Sequence, residues 1–405
     1  MRIQFTPSPL RLALLGLGVL PGLEACQPPG DEGFVVELFG RVVNEYGEGA
    51  PEVNLTFGTL ESALIAVTTS DDAGWYTLPV FFEAPGNHLI QIVASGPEYV
   101  STKAWVDVNV EEGKSQLLRA NPPQTWSGWT YQLSPLPLAF YGAVGSVEGI
   151  LVDAVSGLPV GEMNLDLLSG WNAPETATVA ATLRTGRGST DLGRFSSDAV
   201  PPGVYTARVS AASGYATSRF PVLVRSSGSD FVRAVLSPDN LENRQMRVSA
   251  AWGDAPSNVN LHLSGPRSSI EGGGTVYERY HVWEGYPSHP ASPPQGQSAV
   301  AAFDRLDADG GGPETLTVRA LRSEGRYRVS LFDASNAGVS GSSALAGSDA
   351  VVQVWVGEEA SAFFVPTPGT EGNRWIALEW DAGESVFYPS QVLDTLDAEN
   401  VDADF

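Results

Sequence analysis

Two stretches of this chain repeat the same order of strand and turn residues, and that repeat constrains the fold more than any other feature. Gly40-Arg41-Val42-Val43-Asn44 leads to Gly47, Gly49, Pro51 and Asn54-Leu55, while Gly149-Ile150-Leu151-Val152-Asp153 leads to Gly157, Pro159 and Asn164-Leu165. Each reads as an alternating strand, a turn built on an Asx and a glycine, and a second strand. Thr69-Ser70-Asp71-Asp72-Ala73-Gly74-Trp75-Tyr76 then matches Ser189-Thr190-Asp191-Leu192-Gly193-Arg194-Phe195. Ala84-Pro85-Gly86-Asn87-His88 and Pro201-Pro202-Gly203-Val204-Tyr205 open the next strands, and Gly96 to Val100 and Ser213 to Ala216 close the copies. An Asx side chain caps its own backbone and glycine tolerates positive φ, so these positions force chain reversals. Turn formation, rather than metal binding, is therefore the expected role of Asp71, Asp72 and Asp191. With 44 glycines and 29 prolines separating short Val/Thr/Tyr runs, the whole chain reads as all-β.

The order Gly-x-Val, Gly-x-Pro, Thr-Asp-x-x-Gly-x-Phe, Pro-Gly-x-Tyr and a glycine–aromatic pair resembles the carboxypeptidase regulatory-like domain. That resemblance implies a small seven-stranded prealbumin-type β-sandwich, generally non-catalytic, at 145–238 and, more loosely, at 34–122. In the first copy Trp75-Tyr76 and His88 stand where the usual aromatics would be. Segment 123–144 reads as an aromatic and proline-rich linker carrying Trp129, Tyr131, Phe140 and Tyr141; Trp126 belongs to it as well. Aromatic rings exposed there would make a stacking platform for a sugar or a partner.

The N-terminus has a basic start (Arg2, Arg11), an apolar run from Leu12 to Leu20, and Leu23-Glu24-Ala25-Cys26. A short apolar run of this kind is a secretory signal rather than a membrane span. Cys26 is the only cysteine, and its setting resembles the lipobox of bacterial lipoproteins; Glu24 departs from the small, uncharged residue usual there. The resemblance implies a signal peptide at 1–25, lipidation of Cys26 and a tether at 26–33. Gln27, in place of the Asp that favours inner-membrane retention in such lipoproteins, implies the outer membrane. With no second cysteine, the exported part gains nothing from intrachain disulfides.

From Arg247 the pattern changes. Strand Arg247–Trp252 precedes Asn258-Val259-Asn260-Leu261-His262-Leu263, in which Asn258, Asn260 and His262 share a polar face. Asp304-Arg305-Leu306-Asp307-Ala308-Asp309 runs into Gly310-Gly311-Gly312-Pro313-Glu314-Thr315 and a further strand. These motifs, in this order, resemble the domain of unknown function in YfaP-like exported proteins, and imply a third sandwich at 245–381. Asn258 and Asn260 replace the family's two aspartates. Hard oxygen ligands from Asp304, Asp307, Asp309, Glu314, Asn258 and Asn260 would suit Ca²⁺, so these residues form the candidate metal set. The loop is not an EF-hand, because that register puts Arg305 at the first ligand and Leu316 at the last. The alternative role for the aspartates is capping of a glycine-rich turn. Residues 382–405 are acidic and free of Lys and Arg; they read as a solvated tail, with a short helix from Ser390.

The formal charge of −24 and two lysines (Lys103, Lys114) exclude a phosphate-tracking nucleic-acid binder. Of four histidines, only His262 lies near several carboxylates, and neither a nucleophile elbow nor His-Glu-x-x-His occurs. The expectation is three consecutive β-sandwich domains after a lipoprotein signal peptide. They would be anchored to the membrane through Cys26 and serve, non-catalytically, as a binding or structural module for an envelope protein or polysaccharide. Trp126, Trp129 and Trp283 are its candidate stacking residues. A carbohydrate-active or other hydrolytic enzyme using acids of the third domain is the alternative.

Overall fold

Alternating strands pair into six sheets, which pack face to face in three sandwiches. The computed structural model describes residues 34–59, 66–82, 84–110, 116–117, 129–212, 214–266, 279–290, 298–307 and 310–398. Cys26, with the whole signal and tether, lies outside them, as do Trp126 and Asp309. Among the described residues the helical structure is one 3-10 turn, Ala334–Asn336, and no helix is long and apolar enough to cross a membrane.

The first sandwich comprises β1 (Phe34–Val43), β2 (Asn54–Thr59), β3 (Ala66–Thr69), β4 (Trp75–Phe82), β5 (Gly86–Gly96), β6 (Tyr99–Val110), β7 (Gln116–Leu117), β8 (Trp129–Gln132) and β9 (Leu136–Pro137). One sheet is centred on β1, with β4 and β7 antiparallel and β8 and β9 parallel to it; the other runs β3-β2-β5-β6. Val36, Leu38, Tyr76 and Val80 from one sheet meet Leu55, Phe57, Ile90 and Ile92 from the other. The part of the expected linker that is described, 129–144, is thus not free. It supplies β8 and β9, and it buries Leu133, Leu136 and Leu138 in this core, because its apolar residues complete the sheet edge.

The second sandwich comprises β10 (Gly145–Asp153), β11 (Asn164–Ser169), β12 (Val179–Arg184), β13 (Arg194–Val200), β14 (Gly203–Val209), β15 (Ser218–Val224) and β16 (Ser229–Leu236). Its sheets run β13-β10-β16 and β12-β11-β14-β15. The repeated turns form as their residues dictate. Asn44 Oδ1 accepts the Tyr46 and Glu48 N–H groups, Asp153 Oδ1 those of Val155 and Ser156, and Asp71 Oδ1 those of Ala73 and Trp75.

The third sandwich comprises β17 (Met246–Ala251), β18 (Val259–Pro266), β19 (Arg279–Val282), β20 (Ser288–His289), β21 (Ala301–Arg305), β22 (Glu314–Val318), β23 (Arg326–Asp333), β24 (Val351–Val356), β25 (Ala362–Phe364), β26 (Arg374–Asp381) and β27 (Val386–Asp394). A sheet in the order β20-β21-β22-β17-β24-β25 packs on one in the order β19-β18-β23-β26-β27. The expected acidic tail therefore begins as an edge strand. Val386 and Tyr388 alternate inward at 7% and 8% exposure, and Asp394 pairs with Arg374 instead of being solvated on a helix.

The three sandwiches close on one another pairwise. Trp171 donates its N–H to the Lys103 carbonyl and accepts from Trp105 N, and its ring meets Phe363 of the third sandwich edge-on at 5.3 Å. Gln353 Oε1 accepts from Val235 N while its Nε2 donates to the Arg219 carbonyl, both at 3.1 Å. Asn109 Nδ2 donates to Tyr388 Oη at 2.7 Å, which joins the first sandwich to the third.

Candidate functional site

The candidate metal set divides between the two faces of β22, because residues 314 and 317 differ by an odd number and point opposite ways. Glu314 faces inward with Leu316 and Val318 and is 1% exposed. Its Oε2 accepts the Leu261 N–H at 2.6 Å, on a stretch of β18 that β19 does not reach, so the carboxyl stands in for a missing strand partner. Its pKa is raised to about 8, mainly by burial and also by the charges of Glu284 and Asp307, against hydrogen bonds from the Leu261 and Asp307 backbones that lower it. Asp304 instead engages the outward Thr317 hydroxyl, with Arg319 at 3.1 Å and Arg247 at 3.5 Å. Arg247 is 4% exposed and continues to Ser237 Oγ at 2.7 Å and Asn240 Oδ1 at 3.2 Å, so Asp304 serves the seam with the second sandwich.

Asp307 caps its own loop. Its Oδ2 accepts from Gly312 N at 3.0 Å and its Oδ1 lies 3.6 Å from Arg305. Gly312 has φ +73, and a Cβ there would lie 2.7 Å from the Ala250 carbonyl oxygen, so this turn requires glycine. Asn260 is 2% exposed and its Nδ2 donates to Glu284 Oε2 at 3.1 Å. Asn258 is exposed at the strand entry, where its backbone bonds Ser335 and Ala334. Asp307, Glu314 and Asn260 thus gather at one end of the sandwich, with Glu284 added, whereas Asp304 turns to the opposite face of β22 and Asn258 is exposed at the strand entry. Among the described residues no group of three or more His, Cys, Asp or Glu side chains is arranged to hold a metal ion.

His262 is fully buried and packs among rings. Its Nδ1 lies 2.9 Å from His281 Nε2, its ring stacks on His281 and, at 5.8 Å and 5°, on Trp283, and the Phe332 edge meets it at 6.3 Å. Trp283 stacks on His262 and is half-buried, with its indole N–H buried without an acceptor. The Trp129 backbone lies in β8 opposite Val36.

Sequence reasoning passed over Glu45, a carboxylate buried at the seam of the first and second sandwiches. It is 1% exposed and accepts from Phe140 N, Ser226 N and Ser226 Oγ at 3.0, 3.0 and 2.8 Å. Its partners lie far away in the chain, so no local pattern marks it.

Fold and site together define an all-β protein of three mutually packed sandwiches. No family model matches the chain, and no curated protein matches it. Solved structures that align with it include the Bacillus anthracis TIE protein (14% identity, 51% of this chain and 34% of that one, TM-score 0.21). A shaft pilin SpaA mutant from Lactobacillus rhamnosus GG aligns at 10% identity over 52% of this chain and 99% of its own, with a TM-score of 0.19. A streptococcal ancillary pilin aligns at 12% identity over 73% and 89%, with a TM-score of 0.20. The chain thus spans about a third of the Bacillus anthracis protein's length. At scores of this size no role is transferred from them.

Proposed function

We propose that this chain is a lipid-anchored envelope protein, tethered through Cys26 to the outer membrane, whose sandwiches act non-catalytically as one rigid module toward an envelope protein or glycan. The observation that supports the rigid module is the closed set of seams, in which each sandwich is bonded to both others through Trp171, Gln353 and Asn109; the anchor rests on the sequence Leu23-Glu24-Ala25-Cys26. Domains joined by small polar interfaces move independently by default, whereas buried seams of this kind hold loops at fixed separations. His262 and Glu314, the residues with most chemical capacity, are spent inside the third sandwich, which favours a presenting role over a reacting one.

Fractionation tests the anchor: the wild-type protein is expected in the membrane and Cys26→Ala in the soluble fraction, and unchanged partition would sink the anchor. Immobilised residues 27–405 exposed to solubilised envelope, with calcium and again with EDTA, test the module. One defined protein or polysaccharide retained supports binding, and nothing retained in either condition leaves the structural role alone.

A further inference from the structure

Where the three sandwiches meet they leave a cavity of about 110 Å³. Its walls are largely aromatic: Tyr76 and Trp105 come from the first sandwich, Trp171 from the second, and Phe363, Phe364 and Phe387 from the third. These walls are fixed before anything enters. Trp105 N donates to the Trp171 carbonyl at 3.1 Å, Trp171 meets Phe363 edge-on, and Phe364 packs on Phe387 at 5.7 Å. Among the described lining residues Asp107 alone is a charged type, and it is exposed, which puts it at the mouth.

Tyr76 brings an unused donor to this space. It is 3% exposed, and no described residue hydrogen-bonds its hydroxyl, so burial is what acts on its ionisation and raises its pKa. A Cβ on Gly40 would lie 2.4 Å from the hydroxyl oxygen. That end of the ring therefore sits beside the Phe39 carbonyl, which accepts the N–H of Leu133, another wall residue. A buried hydroxyl without an acceptor is unfavourable, and a ligand that supplies one gains what the protein leaves unmade.

We propose that this cavity binds a small, uncharged aromatic ring carrying a hydrogen-bond acceptor, to which the Tyr76 hydroxyl donates. Volume sets the size: an apolar cavity of roughly 150 Å³ holds benzene, so this smaller one, open at Asp107, takes a single six-membered ring. The walls set the chemistry, because aromatic faces and edges from three sides pack a flat ring, and a charge carried among them would lose its water. The unused hydroxyl sets the acceptor. Since every sandwich contributes a wall, an occupant also ties the three together, and binding should raise the thermal midpoint. Neither the membrane anchor nor an envelope partner is required for it.

Benzene and pyridine are the probes, two rings of the same shape of which only pyridine carries an acceptor, with benzoate as the charged control. Each is titrated at alkaline pH, where pyridine is uncharged, into residues 27–405, and followed by tryptophan fluorescence and thermal midpoint. Both neutral rings are expected to bind and benzoate is not. Tyr76→Phe keeps the ring in the core, and is expected to weaken pyridine about fivefold while leaving benzene unchanged. Ala362→Leu fills the cavity from the third sandwich, and is expected to remove binding of both rings while keeping the parent's circular dichroism. Four results would each overturn the site: no binding of either neutral ring, benzoate binding as well as pyridine, the same change for both rings in Tyr76→Phe, or binding untouched by a folded Ala362→Leu.

Discussion

Phe195 lies directly over Gly149, its cross-strand partner, so that a Cβ on the glycine would sit 2.5 Å from the ring's Cζ and closer still to the Val232 carbonyl. Gly40 and Tyr76 hold the same relationship in the first sandwich, where the nearest obstacles are the tyrosine hydroxyl and ring. Gly149→Ala is therefore expected to destabilise by about 2–3 kcal/mol, since a backbone carbonyl cannot swing aside. Gly40→Ala is expected to cost less. Urea midpoints of the two variants check the order, and a larger loss at Gly40 would refute the account.

That pair also explains why so much of the fold was legible. The repeat is written in residues whose requirements are local: an Asx that caps, a glycine under an aromatic, a proline opening a strand. Seams are written differently. Trp171 and Gln353 look like ordinary core or strand residues until partners far along the chain arrive. In the candidate metal set, proximity in one motif hid the strand alternation that sends Asp304 and Glu314 to opposite faces. The edge strand β27 was obscured by its acids, although Val386 and Tyr388 alternate as a strand requires.

Glu45→Ala is expected to open the seam between the first and second sandwiches. Removing the carboxylate leaves the part-buried Phe140 and Ser226 N–H groups without their acceptor, at about 1 kcal/mol. Limited proteolysis should then cut near 141–144 faster than in the parent. Unchanged cleavage would show that apolar packing alone holds the seam.

Asp304→Ala is expected to cost about 3 kcal/mol, because it strips the buried Arg247 of its carboxylate. Arg247→Met in the same background should recover part of that loss, since the uncompensated charge goes with it. Calcium and EDTA should leave the thermal midpoint of the parent unmoved, Asp304 being engaged by Arg247 and Arg319 rather than aimed at Glu314. A calcium-dependent rise would reinstate a metal at this loop.

Glu314 makes stability pH-dependent in a direction opposite to that of a salt-bridged acid. Its folded-state pKa is raised from 4.5 to about 8, so between those values the folded chain holds a proton that the unfolded chain has released. The unfolded state then binds fewer protons, and stability must fall as pH rises through this window, levelling above it. Asp230, raised from 3.8 to about 6 by burial, adds a slope of the same sign at the acid end. Glu314→Gln keeps an acceptor for Leu261 N but cannot ionise, so it should flatten the slope and be more stable than the parent at pH 8, by a margin on the order of several kcal/mol. Urea midpoints from pH 5 to 9 would show this, and a Gln variant with the parent's slope would mean that the carboxyl is charged inside the sandwich.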